Sequence, residues 1–361
     1  MQKTLDQKLA SIHADPFASR EFIIADAKDA DMGFGVTAPG PKNATKPAVP
    51  GCVYRSLEDY RRQIREVISQ GLVDIMLLSA SNLERLAIQE KLFAQSAITP
   101  AARANDSSDI WIVRGSNYTE QPSRPFRSAT LDHIKYGRLE KDRSQPLRGA
   151  DLGLYSLTFN NSIDHDHRTL QAFYDFRLEA EQKKFRYFLE VFNPNCTPSG
   201  APGNVGTFLN DHIVRALAGV TSVGRPIFLK IPYNGPDALE ELVSYDPHLV
   251  VGILGGGAGT TLDAFQLIHD AKKHGARAAL FGRKINLSEH PLAFIEMLRL
   301  IADGKVEPKE AVKLYHDKLA QDKIPAARSI KDDLRLTQVK LQPSAAAKSK
   351  KRKRQYQKER R

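Results

Sequence analysis

The run PIFLKI (226–231) places a charged group where strands are normally apolar: Lys230 follows Ile227, Phe228 and Leu229. Side chains alternate along a strand, so Lys230 shares a face with Phe228. An ammonium group among apolar neighbours loses hydration, which lowers its pKa from about 10.4 toward neutrality. A neutral lysine of that kind attacks a carbonyl and forms a Schiff base. The competing reading is a lysine whose stem follows the apolar surface while its head reaches the rim. Glu190 in YFLEVF (187–192) poses the same question on the face of Phe188. Burial raises a carboxylate into the range useful for a general acid or base, with a structural ion pair as the alternative. A third candidate closes the run FIIAD (22–26): Asp26, followed by Lys28, Asp29 and Asp31. Any of these carboxylates could hold a substrate hydroxyl or Lys230; Asp26, as the strand's own terminus, is the strongest candidate, and the spare charges read as a solvated loop.

Two further segments suit an anion. GGGAGTT (255–261) precedes a helical pattern and FGRK (281–284) follows an apolar run. Glycines let backbone N–H groups approach a phosphate, and an arginine adds a charge-assisted hydrogen bond. Gly255, Gly256, Gly257, Gly282 and Arg283 are therefore the expected phosphate-binding residues. The glycine run matches neither a P-loop nor a GxGxxG pattern. His165 and His167, flanked by Asp164 and Asp166, form an HxH that would chelate a divalent cation, but such a cluster more often caps a helix, and no metal is assigned.

These residues need elements to hold them. Eight short apolar runs are read as strands: 22–26, 73–79, 109–115, 150–159, 187–192, 226–231, 249–256 and 277–282. They are apolar throughout rather than alternating, the pattern of parallel strands covered on both faces. Amphipathic segments at 57–71, 168–184, 206–220, 262–275 and 290–304 read as helices, with Gly71, Gly275 and Gly304 at their termini. Eight strand–helix units predict a (β/α)₈ TIM barrel, with a doubly wound sheet as the alternative. In a barrel, the polar residues closing the strands face the catalytic end. The Pro/Gly-rich stretches 36–52 and 193–205 read as loops there.

Length and charge bound the rest. The 361 residues are 41% hydrophobic, enough for a large core. No run approaches 18 apolar residues and the amino terminus has no signal pattern, so neither a membrane span nor secretion is expected. Two cysteines, Cys52 and Cys196, without a CxxC argue against a disulfide framework and fit a reducing cytoplasm. Of the net charge of +11, residues 348–361 carry +8, leaving +3 for the other 347 residues. The basic character belongs to a tail, which implies at most a weak polyanion contact. The expected organisation is a barrel with extensions over 1–330, then a polar linker and a disordered basic tail over 331–361. No cofactor is expected, and a homo-oligomer is compatible with the sequence.

Taken in order, GADLGLYSLTFN, FRYFLEVF, FLKIPYNG, GILGGGAG and GARAALFGRKI resemble the class I aldolases of the tagatose-1,6-bisphosphate, bacterial fructose-bisphosphate and deoxyribose-phosphate group, over about residues 149–303. That family is a (β/α)₈ barrel whose Schiff-base lysine ends the sixth strand. The resemblance implies this role for Lys230, proton transfer for Glu190, a first-strand aspartate role for Asp26, and phosphate contacts at Gly255–Gly257 and Gly282–Arg283. It implies a metal-independent lyase that makes or breaks a C–C bond in a phosphorylated sugar. Leu154 stands where the tagatose-type fourth strand has a lysine, and DAKD replaces that family's DHG or DQRG. Those departures motivate a second reading, a sugar-phosphate-binding barrel with a regulatory or scaffold role.

Overall fold

The computed structural model describes residues 1–42, 52–140, 142, 144–257 and 259–341. Eight parallel strands close into a barrel in chain order: β1 (Ile23–Lys28), β2 (Ile75–Leu78), β3 (Thr99–Arg103), β4 (Leu152–Thr158), β5 (Arg186–Phe192), β6 (Leu229–Ile231), β7 (Val251–Leu254) and β8 (Ala278–Phe281). The fold is thus the (β/α)₈ barrel. The longer helices around it are α1 (Thr4–Ala14), α2 (Leu57–Gln70), α3 (Ile163–Gln182), α4 (Val205–Ala218), α5 (Pro236–Tyr245), α6 (Thr261–Lys273), α7 (Pro291–Ala302) and α8 (Pro308–Gln321).

The period-two alternation of each strand divides the core into two layers. Ile23, Ala25, Ala27, Ile75, Leu77, Ala101, Leu154, Phe188, Phe228 and Leu280 fill the barrel, while Ile24, Met76, Leu78 and Leu189 belong to the layer under the helices. The inner layer is closed by α1, whose Leu5, Leu9 and Ile12 join it. Each such burial contributes about 1.5–3 kcal/mol. Lys3 fixes the plug by donating to the carbonyls of Phe93, Ser96 and Ile98, and Lys8 by donating to Asp74, all on the N-terminal side of β2 and β3. The opposite, C-terminal end stays open. Local signals set the helix ends: Ser56 and Asp59 form a capping box at α2, and Gly71 ends it at φ +73°, a conformation suited to glycine.

One strand lies elsewhere than its sequence suggested. The apolar run DIWIVRG (109–115) is a loop, and the third barrel strand is Thr99–Arg103, TPAAR. Its Pro100 and small alanines carry little β-propensity, so pairing with β2 and β4, not its own composition, makes it a strand. The apolar 109–115 run lies at the rim of the open end, where Ile110 and Ile112 line the pocket. Beyond α8, residues 329–341 pack on the barrel: Asp333 accepts from the N–H of Thr261, and Asp263 accepts from the N–H groups of Thr337 and Gln338. The basic segment 348–361 lies outside the described residues.

Candidate active site

Lys230 and Glu190 face each other inside the barrel. They are register partners on β6 and β5, one layer above Phe228 and Phe188, whose rings stack at 4.6 Å. Lys230 Nζ lies 2.5 Å from Glu190 Oε1, and both side chains are buried. The other carboxylate oxygen, Oε2, accepts from Ser156 Oγ at 2.8 Å and lies 3.6 Å from Arg103. Arg103 in turn donates to Asp29 Oδ2 at 2.6 Å and to Ser156 Oγ at 3.1 Å. Four strands and the end of a fifth therefore contribute to one chain of charges, Asp29–Arg103–Glu190–Lys230, with Ser156 as its hinge. Burial works to lower the pKa of Arg103, but Asp29 and Glu190 outweigh it and hold the guanidinium above its ordinary value.

Arg103 is not singled out by the sequence, Asp29 stands there only as a weaker candidate than Asp26, and Asp26 is not part of this network. β1 runs to Lys28, two residues further than its apolar run suggested, and Asp26 shares the outer face with Ile24. There it is fully buried against Lys28, whose Nζ lies 2.8 Å from one carboxylate oxygen and 3.0 Å from the other. Lys28 also donates to Asn286 Oδ1, and Asn286 donates to the Tyr60 hydroxyl at 3.3 Å. Burial raises the pKa of Asp26 and lowers that of Lys28, each partly offset by the other's charge. Asp29, three positions on and lining the pocket, occupies the place expected of Asp26.

The pocket above Lys230 and Glu190 has a volume of about 720 Å³ including its mouth. Gly255, Gly256, Gly282 and Arg283 line one side. Gly257 sits behind Arg283: a Cβ there would come within 3.1 Å of the arginine Nε. Gly255 is needed for packing, because a Cβ would fall 2.1 Å from the Phe281 ring; Gly256 has φ +59°. Arg283 lies over the Phe34 ring at 5.3 Å and forms no ion pair with a described residue. Burial lowers its pKa, with Glu190 acting the other way. Lys284 ties the two loops together by donating to the Gly259 carbonyl at 2.7 Å. A free guanidinium beside a glycine-rich backbone is the chemistry of an anion site.

The 109–115 loop forms the facing wall. Ile112 donates its N–H to the Gly33 carbonyl at 2.8 Å, and Ile110 and Ile112 line the pocket. Trp111 between them turns outward onto Tyr118 and Phe126, at 4.9 and 5.4 Å. The HxH segment lies apart, in the first turn of α3: Asp166 accepts from the N–H groups of Asn160 and Ser162, and His165 pairs with the Ser162 hydroxyl. These bonds fix the loop that leads into α3, although no side chain caps the helix N–H groups at Ser162. Among the described residues no group of three His, Cys, Asp or Glu is placed to hold a metal, and no helix is long and apolar enough to cross a membrane.

No protein-family model and no curated protein matches the chain. Solved structures do. The chain is similar to a fructose-bisphosphate aldolase from Slackia heliotrinireducens at TM-score 0.62 and 11% identity, covering 86% of this chain and 91% of that one. It is similar to an archaeal fructose 1,6-bisphosphate aldolase at TM-score 0.58 and 14% identity, over 82% and 99% of the two chains. A third is an archaeal fructose-1,6-bisphosphate aldolase with the catalytic Lys covalently bound to the carbinolamine intermediate of the substrate, at TM-score 0.57 and 14% identity over 82% and 100%. At such identities the likeness is one of fold, a barrel of the kind those aldolases use.

Proposed function

We propose that this barrel is a class I, metal-independent aldolase-like lyase acting on a phosphorylated ketose, with Lys230 as the Schiff-base nucleophile. The observation that carries the reading is the 2.5 Å contact between Lys230 and Glu190 inside the open end of the barrel. Transfer of one proton across that contact leaves a neutral amine beside a carboxylic acid. The amine adds to the substrate ketone to give a carbinolamine, and Glu190 returns its proton to the departing hydroxyl, which leaves as water. The Cα–Cβ bond then breaks: its electron pair passes to the iminium to give an enamine, while the Glu190 carboxylate takes the β-hydroxyl proton and the other fragment leaves as an aldehyde. Protonation and hydrolysis then free Lys230. Arg103 stabilises the Glu190 carboxylate whenever it is charged, and Asp29 holds Arg103 in place. Arg283 with Gly255, Gly256 and Gly282 takes the phosphate.

The neighbours in fold support this reading, one of them being a structure with its catalytic Lys bound to a carbinolamine. Leu154 favours the alternative of a barrel that binds sugar phosphates without turnover, since the fourth strand supplies an apolar side chain to the inner core at that layer. Replacing Lys230 by Met separates the two. The lyase reading requires turnover of ketose phosphates to vanish in Lys230→Met while thermal stabilisation by the same ligands persists. An absence of turnover in the parent protein across a broad ketose-phosphate panel, with the stabilisation retained, would leave the binding-only barrel.

A further inference from the structure

Beyond that reading, and resting on it for the site though not for the measurement, the pocket's lining says what kind of molecule it takes. Three cationic side chains face it, Arg103, Lys230 and Arg283. The first two are already neutralised, Arg103 by Asp29 and Glu190, and Lys230 by Glu190. Arg283 is the one described cation in the pocket without a carboxylate partner. A second phosphate would have to break an existing buried ion pair to be neutralised, which is costly.

Much of the remaining wall is apolar, beside the backbone of Gly33, Gly255, Gly256 and Gly282. Phe34, Ile110, Ile112, Phe192, Leu254 and Leu280 surround the space. This wall is built rather than incidental: Ile112 is hydrogen-bonded to Gly33, and a Cβ on Gly33 would press to 2.9 Å from the Ile110 carbonyl. A polyhydroxylated chain buried against it would leave hydroxyls unpaired, each a penalty. Ser156 is committed to Glu190 and Arg103, and one oxygen of Asp29 to Arg103, so Asp29 Oδ1 is left to accept from a single hydroxyl. We infer that the substrate carries one anionic group, held at Arg283, and an apolar body against Ile110, Ile112 and Phe34, which narrows the phosphorylated ketose proposed above to a deoxygenated monophosphate and excludes a sugar bisphosphate.

Trp111 turns away from that wall onto Tyr118 and Phe126, so binding is read by calorimetry. The test titrates the full-length protein with 4-phenylbutyl phosphate, a monoanchor with an apolar body, and with a hexitol 1,6-bisphosphate, a sugar bisphosphate that has no carbonyl. The expected result is at least about ten-fold tighter binding of the phenylbutyl compound, the scale of a few buried methylene groups. Ile112→Asn, at an exposed loop position whose backbone bond survives, should narrow that gap to about three-fold or less. Equal affinities, or tighter binding of the bisphosphate, would overturn the inference. Neither titration involves Schiff-base chemistry, so a failure of the lyase reading appears separately, as an absent covalent adduct at Lys230.

Discussion

Lys230 and Glu190 meet at 2.5 Å because they are paired by the hydrogen-bond register of β5 and β6, not because a loop brings them together. A one-residue slip of either strand would turn its side chain out of the barrel, so the register that closes the fold also fixes the contact. Glu190→Gln preserves the shape of the side chain and removes its transferable proton. We expect kcat for ketose-phosphate cleavage to fall by roughly 10²–10⁴-fold, the usual contribution of a positioned acid or base. Rapid-quench kinetics should place the delay before iminium formation, and an unchanged kcat would remove Glu190 from proton transfer.

Arg283 is expected to act on the charged end of the ligand only. Arg283→Ala should weaken a phosphorylated ligand by about 1.5–3 kcal/mol, the scale of hydrogen bonds to charged groups. Calorimetric titration with phosphorylated and dephosphorylated forms of one ligand reads this directly. An equal loss for both would mean that Arg283 acts through its packing on Phe34.

The Asp26–Lys28 pair is a structural element buried outside the barrel wall, and its energetics should show it. Removing one partner strands the other charge, at a cost of about 3–5 kcal/mol, whereas removing both relieves the desolvation of each. Asp26→Leu and Lys28→Met should therefore each lower stability more than the double variant does. Urea unfolding of the four proteins gives the cycle; additive losses would show that the two charges do not depend on each other.

Lys284, under the glycine-rich loop, gives a pH signature. Burial foremost, with Arg328 adding to it, lowers its pKa from 10.5 to about 8. A folded-state value below the unfolded one contributes stability that is present above the unfolded pKa and is lost as pH falls through the folded pKa. The stability of the parent relative to Lys284→Met should accordingly rise between about pH 8 and 10.5 by on the order of 2 kcal/mol. Parallel pH profiles for the two proteins would contradict this.

Where strands advertise themselves by apolar composition, the sequence sufficed: seven of the eight runs coincide with barrel strands, and Lys230 and Glu190 fall on the inner face as the period of two requires. Thr99–Arg103 could not be seen because its neighbours, not its residues, make it a strand, and Arg103 was lost with it. Asp26 was chosen because it ends an apolar run, yet Ile23, Ala25 and Ala27 fill the barrel. Counting by twos from those three reaches Asp29, so the signal was present in the alternation and hidden by the misjudged strand end. Trp111 and its isoleucines mislead for a physical reason, since a loop that forms one wall of a pocket can be as apolar as a strand.

Lys230 is expected to form a covalent imine with a ketone. Incubation of the intact protein with a panel of phosphorylated ketones, reduction with borohydride and peptide mass spectrometry measures it most directly. A reduced adduct is expected on the peptide containing Lys230, absent from Lys230→Met and diminished in Glu190→Gln. No adduct at Lys230 with any ketone of the panel, or an adduct confined to another lysine, would contradict it.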